Sequence, residues 1–188
     1  QIDGLPHDVL RKYTAAIAAW EGHRRVEPGV DGSSGSATGP ASLTSLTFLD
    51  GAGGEIDVVH NGDPMCVRIG VDAATEIRGP VCEILIERHD GVQVIATSTR
   101  LMGVEVPRLS PGAHALEWRV DDVLLTPGTY DFSIRLLDET GVRELDHRER
   151  WGRVRVHAGR YRERQGVSVI PASWSLSSGG GASSALLP

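Results

Sequence analysis

Leu124-Leu-Thr-Pro-Gly-Thr-Tyr-Asp-Phe-Ser-Ile-Arg-Leu-Leu-Asp138 decides the fold. The Pro127-Gly128 turn leads into strict alternation, with Tyr130, Phe132, Ile134 and Leu136 on one side and Asp131, Ser133 and Arg135 on the other. Period-two alternation marks a strand with one dry and one wet face. One sheet alone cannot hide the dry face, so a second sheet has to cover it. Recognition chemistry then belongs on an outer surface.

Other stretches carry the same signal. Strands are predicted at 43–50, 55–60, 65–72, 81–88, 92–98, 115–121, 129–138 and 148–157, with a weaker one at 166–174 that Pro171 interrupts. Asn61-Gly-Asp-Pro64 and His89-Asp-Gly91 supply the turn chemistry between neighbours. Short strands at near-regular spacing imply an all-β, immunoglobulin-like antiparallel β-sandwich. Residues 6–20 differ: Val9, Tyr13, Ala16, Ile17 and Trp20 recur at helical spacing after Pro6. The expected organisation is a helix ending an upstream domain at 1–21, a flexible Gly/Ser linker at 22–42, the sandwich at 43–174 and a disordered tail at 175–188.

Composition narrows the function. The formal net charge is −6, and of the 19 basic residues only Lys12 is a lysine. A general nucleic-acid binder needs a basic excess, so none is expected here. A P-loop needs a Gly-rich loop ending in Lys, and Lys12 sits mid-helix without one, so this stretch is no P-loop ATPase. No GxSxG or HExxH motif is present, and no paired catalytic carboxylates stand out, which argues against a hydrolase. Cys66 and Cys82 lie inside strand-like runs and read as small buried side chains rather than a metal or disulfide pair. Asp146-His147 and His89-Asp90 read as turn and edge residues rather than parts of a triad. No catalytic residue, metal or cofactor is expected.

The closing strand bears the candidate site. Val154 and Val156 should point inward with Gly152 in register, leaving Trp151, Arg153 and Arg155 outside. Pairing Phe132 with Val154 would set Arg135 against Trp151, Ser133 against Arg153 and Asp131 against Arg155. Two readings compete for this face. One is a cross-strand ladder, with a cation–π contact and an ion pair each adding roughly 0.2–1 kcal/mol. The other is a sugar platform, in which an indole covers the C–H face of a pyranose while Arg, Asp and Ser bond its hydroxyls.

Several stretches occur together in order: Leu46-Thr-Phe-Leu-Asp-Gly51, Val58-Val-His-Asn-Gly-Asp-Pro-Met65, Ile77-Arg-Gly-Pro80 and Ile86-Glu-Arg-His-Asp-Gly91. Val120-Asp-Asp-Val-Leu-Leu-Thr-Pro-Gly-Thr-Tyr-Asp131 and Asp146-His-Arg-Glu-Arg150 complete the set. The chain resembles the C-terminal domain of Wzt-type ATP-binding subunits of polysaccharide ABC transporters. Leu5-Pro-His-Asp-Val-Leu-Arg-Lys-Tyr13 looks like the end of such a subunit's ATPase domain. The resemblance implies a carbohydrate-binding domain for an O-antigen-like glycan, on the cytoplasmic side of the inner membrane. It also implies a link to the transporter membrane subunit through the upstream ATPase, and a homodimer in which strand 166–174 is available for exchange. The rival expectation is a dimerisation or protein-interaction sandwich that touches no glycan.

Overall fold

The computed structural model describes residues 39–163 and 165–172. The expected helix at 6–20, most of the linker and the tail at 175–188 lie outside the described residues. Among the described residues all regular structure is β. The strands are β1 (Ala41–Asp50), β2 (Val58–His60), β3 (Met65–Ala73), β4 (Ile77–Arg78), β5 (Val81–Arg88), β6 (Gln93–Ser98), β7 (Arg108–Leu109), β8 (Gly112–Val120), β9 (Gly128–Leu137) and β10 (Glu144–His157). They form a three-stranded sheet β1-β3-β8, a five-stranded sheet β2-β10-β9-β5-β6 and a small β4-β7 pair.

The alternation that predicted the fold does its work in β9. Tyr130, Phe132, Ile134 and Leu136 are fully buried, and they share one core with Val67, Ile69 and Val71 of β3. The Phe48 and Phe132 rings meet edge to face across the layer, 4.8 Å between centroids. Such a contact adds to the area buried by both rings. Gly152 stands opposite Phe132 and faces this layer, as its inward parity required. A Cβ there would sit 2.5 Å from Leu46 and 2.9 Å from Phe48. The absence of a side chain lets the two sheets close at that point.

Turns behave as their residues dictate. Gly91 takes φ +85° and its N–H donates to the Arg88 carbonyl at 2.8 Å, closing the β5–β6 hairpin. Asn61 does more than turn the chain. Its buried Oδ1 accepts from the Gly159 and Tyr161 N–H groups at 2.6 and 3.3 Å, and its Nδ2 donates to the Tyr161 carbonyl at 3.1 Å. A buried amide with these partners pins the segment after β10 to the β2–β3 turn. Cys66 and Cys82 are buried and unbonded, and burial pushes the Cys82 thiol up to about 12.

Three expectations change. Ala41 and Ser42, placed in the linker by sequence, already belong to β1, because Ala41 and Leu43 reach into the core. The pair β4 and β7 went unread, since two-residue strands carry no alternation. The predicted strand at 166–174 is, as far as it is described, a single bridge between Ser168 and Leu125. Two backbone bonds flank that bridge, Val169 N–H to Leu124 O at 2.7 Å and Thr126 N–H to Val167 O at 3.3 Å. Ladder growth stops at Pro171, which has no N–H to give.

Gly152→Val should destabilise the domain by about 1–3 kcal/mol through overpacking against Leu46 and Phe48. Urea unfolding of the variant checks this; an unchanged midpoint would mean the sheets are not in close contact there.

Candidate functional site

The outward face of the five-stranded sheet is where the candidate side chains fall, though not in the expected register. Arg148 pairs with Ile134, and the next partner pair is Gly152 with Phe132, so Glu149, Arg150 and Trp151 all stand against Ser133. This bulge holds Arg150 at φ +46°, in the left-handed region a side chain rarely adopts. The Arg150 N–H donates to Ser133 Oγ at 2.9 Å, which fastens the bulge to β9. Beyond it Arg153 pairs with Asp131 and Arg155 with Thr129, while Arg135 lies opposite His147. The predicted pairing of Phe132 with Val154 was therefore off by two residues. A two-residue slip preserves parity, so the faces survive while every cross-strand partner changes.

The residues sort into two groups. Arg153 donates from Nε to Asp131 Oδ1 at 2.6 Å, and Arg155 from Nη2 to Asp57 Oδ2 at 2.8 Å. Arg150 Nε lies 3.7 Å from Glu87 Oε2. Arg135 sits further along β9, bonded to Glu144 and Glu83 at 3.1 and 3.3 Å. Trp151, expected to lie open on this face, is half-buried and packs against the hydrophobic core. The bulge takes the indole out of plain outward register.

Glu87 is the residue that sequence reasoning missed. It is directly opposite Asp131 on the neighbouring strand, and the two are only 2% and 3% exposed. Like charges in cross-strand register repel, and buried carboxylates carry a desolvation cost. The two guanidiniums above them, Arg153 on Asp131 and Arg150 near Glu87, offset both effects. Parity alone put Glu87 on this face, yet nothing local to β5 says that β9 is its neighbour.

Asp146-His147 lies at the edge of the five-stranded sheet, as expected, since β2 pairs only with residues 155–157 of β10. Asp146 lies within β10 and its Oδ2 accepts the Leu43 N–H at 2.7 Å, tying β10 to the irregular part of β1. Among the described residues no group of three or more His, Cys, Asp or Glu is arranged to hold a metal ion. No helix among them is long and apolar enough to cross a membrane.

A separate cavity of about 380 Å³ lies where β5 begins and β9 ends, lined by Pro80, Val81, Thr99, Arg100, Val106 and Glu139 among others. Arg100 bridges its two loops, donating to the Glu139 and Thr140 carbonyls at 2.5 and 2.9 Å. Leu101, Met102, Val104 and Val142 are exposed on these same loops.

A family model described as the Wzt C-terminal domain matches residues 33–169. Among solved structures, the crystal structure of a Wzt C-terminal domain aligns with TM-score 0.64 at 18% identity, covering 74% of this chain and 86% of that one. A DUF4785 family protein from Legionella pneumophila aligns over 58% of this chain and 27% of its own at 21% identity, with a TM-score of 0.41 too low to bear on the fold. Comparison with curated proteins gives no match.

Burial pushes the Glu83 carboxyl up, against the opposing pull of the Arg135 and Arg100 guanidiniums, and Glu144 adds to the rise. A carboxyl raised in the folded state is charged at a cost there. That cost is present above the raised value and fades as pH falls through it towards the ordinary carboxylate range. Glu83→Gln should therefore be more stable than the parent near neutral pH, with the difference shrinking on acidification. Urea midpoints across a pH series read this out; a variant less stable than the parent near neutral pH, with the deficit fading on acidification, would mean the Arg135 pairing outweighs burial.

Proposed function

The chain belongs to the Wzt C-terminal domain family, and from that footing we propose that it is the non-catalytic carbohydrate-binding domain of a polysaccharide ABC exporter. It recognises the O-antigen-like glycan to be exported and couples it to transport. The observation that carries this reading is the outer face of the five-stranded sheet. There the exposed guanidiniums of Arg150, Arg153 and Arg155 are oriented by carboxylates, two of them buried, beside the half-buried Trp151. Pre-oriented donors lose little freedom when a sugar oxygen arrives, which is what a weak, repeated ligand requires.

The remaining parts of the reading follow from it. An ATPase domain upstream would join this domain to the transporter membrane subunit at the cytoplasmic face of the inner membrane. A homodimer would present two such faces to one exported chain, raising apparent affinity without new contacts. The segment 166–174 is the portion available for exchange between copies. The fold is read as immunoglobulin-like, supported by the Tyr130 hydroxyl donating to the Thr126 carbonyl at 2.8 Å, the bond that closes a tyrosine corner.

A second reading has its own observation. Exposed Leu101, Met102, Val104 and Val142 on the loops around the cavity favour a protein-interaction role at that end of the sheets. Titrating the full chain by calorimetry with polysaccharide purified from the expressing cells separates the two. Saturable binding is expected. Arg155→Ala, which breaks only an exposed ion pair, should weaken it about tenfold while changing stability by less than about 1 kcal/mol. Trp151→Ala should lower both binding and stability, since the indole packs on the core. No heat with any amount of glycan would favour the interaction reading.

A further inference from the structure

The charges along β10 say which kind of glycan fits. Arg150, Arg153 and Arg155 have side chains 50%, 64% and 55% exposed, so each guanidinium meets solvent. Each also has its own carboxylate within 4 Å: Glu87, Asp131 and Asp57. The strip is thus rich in donors but balanced in charge.

We propose that this strip reads a neutral polysaccharide lying along β10, and discriminates against uronate- or phosphate-bearing chains; the inference rests on the glycan-binding reading above. A guanidinium carries five N–H donors, and its carboxylate anchor takes one or two of them. The others point away from the anchor and are free to meet hydroxyl, ring or acetamido oxygens, none of which needs a net positive field. An approaching anion fares differently. Its attraction to each guanidinium is met by repulsion from the carboxylate held beside it, and Glu87 and Asp131 cannot swing aside because they are packed inside the sheet. Arg153 and Arg155 are two residues apart on one face, so their backbone positions recur at about 6.6–6.8 Å and both donors line the same side of the strand.

Arg150 is held at its place in the row by a device of its own. Its left-handed backbone and its N–H bond to Ser133 Oγ turn the side chain towards Glu87, where regular pleating would have carried it elsewhere. Backbone strain of this kind persists where surrounding structure enforces it, and it is enriched at binding sites. Glu87, Asp131 and Asp57 are accordingly positioning residues, which orient and neutralise the donors rather than touch the sugar.

The test is a glycan array of neutral and acidic bacterial oligosaccharides, probed with the full chain at low and high salt. Neutral members should be bound, with affinity changing less than about threefold between the two salts, since screening acts on uncompensated charge. Asp57→Asn, at an 80% exposed side chain whose loss leaves the fold intact, should add salt-sensitive binding to acidic members and weaken the neutral ones a few-fold, as Arg155 loses its anchor. Glu87→Gln should do the same at Arg150. Wild-type binding confined to acidic members, or falling steeply with salt, overturns the proposal and leaves the glycan-binding reading standing. No member bound by any variant overturns both.

Discussion

Strand β9 is closed on all sides, and the rest of the structure depends on that. It is hydrogen-bonded to β5 on one edge and β10 on the other, so it has no free edge. Its inward residues, Tyr130, Phe132, Ile134 and Leu136, exclude water against β1 and β3. Its outward residues Asp131 and Ser133 are also buried, beneath the arginines and the bulge of β10. A strand fixed in this way makes its outer face a rigid base. The candidate side chains on β10 inherit their positions from it, whereas side chains on loops would have to be ordered when a ligand binds.

The apolar pattern made the fold legible. At β3, β5 and β9 the apolar pattern located the strand and its limits came within a residue or two, whereas β8 and β10 begin at Gly112 and Glu144, ahead of the predicted starts at 115 and 148. The failures share a cause: β4 and β7 are too short to alternate, and residues 166–172 lean on Leu124–Thr126 through contacts that local sequence does not encode. The β5–β6 and β9–β10 hairpins were legible, but the pairing of β5 with β9 was not, because those two strands are far apart in the chain and meet only through tertiary packing.

The candidate site shows the same division. Parity put Asp131, Ser133, Arg153 and Arg155 on one face correctly, since a period of two needs no knowledge of partners. Partners were another matter. The bulge at Glu149, Arg150 and Trp151 shifted every pair beyond it, gave Asp131 to Arg153 rather than Arg155, and drew Trp151 towards the core. A positive φ at an arginine has no sequence signature, unlike one at glycine, so neither the bulge nor the role of Arg150 was readable in advance. Glu87 escaped notice because its significance lies in the strand beside it. The match to a Wzt C-terminal domain at TM-score 0.64 and 18% identity shows the fold shared where most residue identities are not.

The central claim is that the outer face of β9 and β10, and not the cavity at the loop end, meets the glycan. Amide hydrogen exchange on the full chain, with and without polysaccharide purified from the expressing cells, tests it most directly. The account predicts slowed exchange in Arg150 to Arg155 and in Asp131 to Ser133, with the loops at Thr99–Val106 and Asp138–Arg143 unchanged. Slowed exchange confined to those loops, with β10 unaffected, would contradict it.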